Sequence, residues 1–167
     1  MVLLTDELRA RIGETRVYVA PEALSRASIR YYAVAVGDDN ALYTDTDAAR
    51  AAGLLDVMAP PTLLADTNQY LLGERDTDGF AGHSWGLDVP NSRTVRGGND
   101  YIFHRPAHPD DVVTVTWRLI DMAERTTSGG MAMMIVTSRA EFTDQRGEPV
   151  LSNTETIIYT ELPGAAT

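Results

Sequence analysis

Between residues 92 and 162 the apolar residues change rhythm, and that change limits the fold more than any other feature of the chain. Four runs, "SRTVRGGNDYIFHRP", "DDVVTVTWRLIDMAER", "GGMAMMIVTSRAEFTDQ" and "EPVLSNTETIIYTEL", place β-branched and aromatic residues in rough alternation with polar ones. That is the period of strands with one face buried. "RTTSGG" and "DQRGE" have the composition of hairpin turns. Each run exceeds the ~5–6 residues usual for a strand, as a curved sheet enclosing a helix requires. The first half supplies helices. "RVYVA" (16–20) reads as a short strand, and "PEALSRASIRYYAVAVG" as a helix from Pro21 to a stop at Gly37. Its apolar residues Leu24, Ile29, Tyr32, Ala33 and Val36 recur at helical spacing. "DTDAARAAG" reads as a short helix stopped by Gly53, and "APPTLLADTNQYLLG" as a longer one from Pro61 to Leu72, ended by Gly73. Residues 74–92, rich in Gly, Asp and Ser, read as a loop.

Helices followed by four long antiparallel strands predict an α+β domain with the hot-dog fold, a long central helix wrapped by a curved antiparallel sheet. A chain of 167 residues suits one domain, residues 1–162, with a frayed tail at 163–167. One helix covers one face of such a sheet, so a second hot-dog chain is expected against it, as a homodimer or a heteromer. No run approaches the ~20 apolar residues of a membrane span, and "MVLLTDELRAR" does not read as a secretion signal. With no cysteine, the chain has no thiol nucleophile, and a cytoplasmic location is expected. All 14 basic residues are arginine, which excludes Schiff-base chemistry. A net charge of −10 argues against nucleic acid as the partner. His104 and His108 are four apart, but Pro106 and Pro109 forbid a helix there, so they do not form a helical metal pair. No metal and no cofactor are expected.

The polar loop in "YYAVAVGDDNALYTD" sets Asp38, Asn40 and Tyr43 close together after Gly37. An acid and an amide two residues apart suit a water-handling site, and equally a turn that ends a helix. "VGDDNALYTDTDAARAAGLLDVMAPPTLL" resembles the opening of MaoC-like dehydratase domains, in particular the FAS1-like dehydratase branch. "RGGNDYIFHRPAHPDDVVTVTWRLIDM" resembles that branch's G-G-x-x-x-x-[FH]-R-P-x-x-x-x-D signature, and "AEFTDQRGEPVLSNTETII" its last hairpin. The resemblance implies a hot-dog fold and reversible hydration of a 2-enoyl thioester on coenzyme A or acyl carrier protein. Active members read G-D-x-N-P-x-H in the loop. Asp38 matches the acid and Asn40 the amide, Ala41 replaces the proline, and Tyr43 stands at the histidine position. A histidine titrates near working pH and can give and take a proton in one cycle. A phenol, titrating at about 10, is a poor base at neutral pH.

The resemblance also implies substrate-binding positions. Pro61 and Thr62 open the helix whose N-terminus faces the thioester carbonyl in the family. Arg96, Gly97, Gly98 and His104 lie in the paired-glycine stretch, where many relatives carry a histidine at the position of Arg96. Trp85, beside His83, is a candidate lid. Arg93, Arg96, Arg105, Arg118 and Arg139 are candidates for a phosphate clamp, or solvated strand ends. The reading that follows is a MaoC-like (R)-specific enoyl-thioester hydratase or 3-hydroxyacyl dehydratase-type subunit with an incomplete Asp/His site, paired with a catalytic hot-dog subunit. If the loop keeps family geometry, Tyr43→His restores hydration. A diverged cyclase or isomerase, orienting a polyketide-like substrate with Asp38 and Tyr43, is the alternative. Two more are an acyl-CoA thioesterase using Asp66 on the central helix and a non-enzymatic acyl-binding partner.

Overall fold

In the computed structural model the described residues are 2–67 and 82–163, with Asp66 and Thr67 described by backbone alone. Each period-two run forms a strand: β2 (Ser92–Phe103), β3 (Thr114–Thr126), β4 (Ala132–Thr143) and β5 (Pro149–Glu161). With the short β1 (Thr15–Val19) they form one antiparallel sheet in the order β1-β3-β4-β5-β2. The alternation decides which face is buried. Val115, Trp117 and Leu119 of β3 and Met134, Val136, Ser138, Ala140 and Phe142 of β4 all turn inward. A bulge between Leu119 and Asp121 then shifts the phase, so that Ile120 stays outside and Met122 is the next buried residue. A second bulge, between Arg96 and Gly98, bends the edge strand β2.

The helices pack Ile29, Ala33, Leu63 and Leu64 into the same core as Trp117, Phe142 and Leu151. Fully burying such a side chain contributes about 1.5–3 kcal/mol, so this inner layer dominates the stability. Helix α1 (Asp6–Ala10) is capped by Thr5, whose hydroxyl accepts from Leu8 N at 3.2 Å. It is a single turn, too short to leave a periodic signal. Helix α2 (Arg26–Val36) starts at Ser25 rather than at the expected Pro21. Ser25 and Ser28 form a reciprocal capping box, while Leu24 exchanges backbone hydrogen bonds with Asp110 and Asp111 and so is withheld from the helix. Gly37 ends α2 in the left-handed conformation, φ 72°, where a Cβ would be strained. Asp45 caps α3 (Thr46–Ala51). Helix α4 begins at Pro61 as expected and is described through Thr67; its expected continuation to Leu72 and Gly73, and the tail from residue 164, lie outside the described residues. Among the described residues no helix is long and apolar enough to cross a membrane.

The connection after β2 is tied down by charge. Arg105 donates from Nη1 to Asp111 Oδ2 and from Nη2 to Asp144 Oδ2, both at 2.9 Å. This joins the β2–β3 connection to the β4–β5 hairpin. His108 Nδ1 donates to Val57 O at 3.0 Å, bringing the segment before α4 against the same connection.

Candidate active site

The loop that follows α2 is built from its own turns. Asp38 Oδ1 accepts from Asn40 N at 3.2 Å, and Asn40 Oδ1 accepts from Leu42 N at 3.0 Å, capping a 3₁₀ turn at Ala41–Tyr43. Both Asp38 and Asn40 are exposed. Tyr43 is 7% exposed and belongs to the hydrophobic core, and no hydrogen bond among the described residues joins its hydroxyl to the Asp38 carboxylate. The Asp38 carboxylate thus lies in solvent, whereas the Tyr43 ring is packed into the core.

Pro61 and His104 do come together. They line a recess of about 250 Å³ with Met58, Leu64 and Phe103, between the start of α4 and the end of β2. Its lining is mostly apolar, with His104 at an exposed rim, where Nε2 lies 3.2 Å from Ser152 Oγ. Thr62 is exposed at the first turn of α4. The Asp66 side chain lies outside the described residues.

Trp85 and Arg96 line a different cavity, of about 200 Å³, between residues 83–87 and the β2–β5 side of the sheet. Trp85 is buried, and its Nε1 donates to Ser138 Oγ at 2.8 Å, so it is anchored to the sheet. His83 stacks on Trp117 with centroids 4.4 Å apart, meets Trp85 edge-on at 4.6 Å, and places Nδ1 3.0 Å from the Tyr18 hydroxyl. Burial, with nearby Arg16 adding to it, pushes the His83 pKa down to about 3. The imidazole is therefore neutral at ordinary pH, and its neighbours are Tyr18, Trp85 and Trp117. Gly97 is required sterically: a Cβ there would meet Thr156 Cγ2 at 2.9 Å and the Thr156 carbonyl oxygen at 3.1 Å. Gly98 sits at the β2 bulge.

Three of the five candidate arginines have acidic partners within the chain: Arg105 as above, Arg96 with Glu155 at 2.9 Å, and Arg139 with Glu141. Arg118 and Arg139 border a cleft of about 670 Å³ on the outer face of β1, β3 and β4. Glu155 escapes sequence reasoning. Yet a signal exists, because Leu151, Asn153, Glu155, Ile157 and Tyr159 share one strand face, paired with inward residues of β4. Two of those five are polar where an apolar residue is expected.

With the geometry in view, the likeness to known proteins acquires a meaning. The family described as "FAS1-like, dehydratase domain region" matches residues 11–153. A UPF0336 protein of Streptomyces coelicolor is 35% identical over 141 residues, covering 84% of this chain and 87% of that protein. Another UPF0336 protein, from Clavibacter michiganensis, is 36% identical over 159 residues, covering 93% and 95%. Among solved structures, the ChsH1–ChsH2 complex from Mycobacterium tuberculosis aligns with a TM-score of 0.69 at 21% identity over 90% of each chain. A MaoC-like dehydratase from Rhodospirillum rubrum gives 0.67 at 21% identity, over 91% of this chain and 94% of that one. The HadBC (3R-hydroxyacyl-ACP dehydratase) complex of M. tuberculosis gives 0.62 at 23% identity, over 87% and 96%. At such identities the structures speak for the fold, and the family match speaks for descent. The chain has the hot-dog fold and belongs to the FAS1-like dehydratase family.

Proposed function

We propose that this chain is the acyl-binding subunit of an (R)-specific enoyl-thioester hydratase or 3-hydroxyacyl dehydratase, and that a second hot-dog subunit supplies the catalytic Asp and His. The observation that carries the proposal is Tyr43, which is 7% exposed and packed in the core at the position where active relatives hold a histidine. Hydration needs a base to take a proton from water as its oxygen joins C3, and an acid to deliver a proton to C2. A core phenol unconnected to Asp38 is poorly placed for either step. The recess between α4 and the end of β2 is the proposed seat of the acyl thioester, with Pro61 and Phe103 against its carbon atoms and His104 at the rim.

Pairing is supported by the sheet edge. Among the described residues β2 has β5 on one side only, and it exposes Val95, Ile102 and Phe103 at 43%, 53% and 47%. An unpaired edge carrying apolar side chains is a template for another strand. ChsH1–ChsH2 and HadBC, which share the fold, are both complexes.

The test is hydration of crotonyl-coenzyme A. The purified chain is expected to show none, and Tyr43→His to restore none, because position 43 points into the core rather than toward Asp38. A hot-dog subunit with an intact G-D-x-N-P-x-H loop, co-purified from the native host, should bring activity and a two-chain mass. Robust turnover by the wild-type chain alone would end this proposal.

A further inference from the structure

The cavity of about 200 Å³ beneath residues 83–87 is separate from the recess at α4, and its polarity is not what a plain alkyl chain would select. Glu155 lies in its wall, at an inward position of β5 paired in register with Ser138 on one side and Asn99 on the other. The Glu155 side chain is 13% exposed, and Arg96 Nη1 donates to its Oε2 at 2.9 Å. Among the described residues nothing donates to Oε1. Burial raises the Glu155 pKa, partly offset by Arg96. His83, from a different element, is fixed by Tyr18, Trp85 and Trp117. Its Nε2 is buried and has no hydrogen-bond partner. Two polar atoms in one small cavity are thus left with capacity, and for the buried Nε2 that is unfavourable unless something meets it.

We propose that this cavity binds a hydroxyl carried by the acyl guest at a position remote from the thioester. The hydroxyl hydrogen goes to Glu155 Oε1 and its oxygen accepts from His83 Nε2–H, in the tautomer whose Nδ1 accepts from the Tyr18 hydroxyl. Other groups fit worse. A carboxylate meets the charge of Glu155, an ammonium meets Arg96, and a ketone has no hydrogen for Oε1. Trp85 and Ile157 cover the adjoining carbon atoms. The inference rests on the acyl-binding reading for the thioester end of the guest, and on the cavity alone for the hydroxyl.

Trp85 and Trp117 both touch His83, so tryptophan fluorescence reports occupancy. Octanoyl-, 5-hydroxyoctanoyl- and 7-hydroxyoctanoyl-coenzyme A are titrated into the full chain and into its two-subunit complex. At least one hydroxylated probe should bind about ten-fold more tightly than octanoyl. Glu155→Leu should remove that preference, so that the hydroxylated probes bind no more tightly than octanoyl. Glu155→Gln breaks the ion pair to Arg96 but keeps an oxygen acceptor, so it should retain the preference, whereas a purely structural role would make both variants alike. His83→Phe, which preserves stacking on Trp117, should weaken the preference and serves if Glu155→Leu fails to fold. Equal affinity for all three probes would overturn the hydroxyl site and leave acyl binding standing. Binding of none, by chain or complex, would overturn both.

Discussion

Residues 103–111 and residues 37–45 are two polar stretches of the chain, and they are held in place by different means. In the first, Arg105 reaches Asp111 and, in another hairpin, Asp144, which is 2% exposed. In the second, side-chain bonds stay within the neighbouring turn: Asn40 N to Asp38, Leu42 N to Asn40, Ala48 N to Asp45. The difference separates two uses of a motif. Polar groups with buried, long-range partners hold loops together, and the sheet connections depend on them. Polar groups with exposed, local partners shape a turn that survives a change in its chemical members. Tyr43 serves the fold in such a turn by giving its ring to the core.

Removing Arg105 should have the largest effect. Arg105→Met leaves Asp111 and Asp144 without their shared cation. Breaking a buried pair costs ~3–5 kcal/mol, and the 26% exposure of Arg105 lowers the expectation to roughly 2–4 kcal/mol. Urea unfolding measures it, and a loss below about 0.5 kcal/mol, the range of ordinary surface changes, would erase the contrast between the two stretches.

Acid should expose the same tie. Burial alone would raise the Asp144 pKa, but the N–H groups of Glu148 and Arg146 and the Arg146 guanidinium outweigh it and hold it at about 2. The unfolded value is about 3.9, so the folded state binds fewer protons. The stabilisation is complete above about pH 4 and is lost as pH falls toward 2. Asp144→Asn should therefore differ from wild type most at neutral pH, with the gap closing between pH 4 and 2 in denaturation curves. A constant gap would mean that the charge of Asp144 is not what ties the hairpin.

How far the sequence carries follows from where the causes lie. The strands are legible because alternation is local: Val115, Trp117 and Leu119 announce their buried face within five residues. The start of α2 is not, because Pro21 is a good helix opener and only the distant Asp110 and Asp111 draw Leu24 away. In the candidate site the sequence names residues without their geometry. Pro61 and His104 meet at one recess, while nothing in "GDDNALY" tells which way Tyr43 turns. Glu155 shows the reverse case, an ordinary glutamate by composition whose meaning comes from strand register.

The smallest expected effect bears most directly on function. Asn40→Ala removes one cap from a single 3₁₀ turn, worth about 0.5–1 kcal/mol. Were the loop catalytic, losing the residue that orients water would slow the reaction by about 10²-fold or more. Stability and rate thus answer different questions at one position. Denaturation of the chain and hydration kinetics of the two-subunit complex, measured on the same variant, should show a slight loss of stability and an unchanged rate. A hundred-fold slower complex with stability intact would make residues 37–45 a working site completed by the partner subunit. The contrast with residues 103–111 would then be one of scaffold against chemistry, with Tyr43 among the residues to explain.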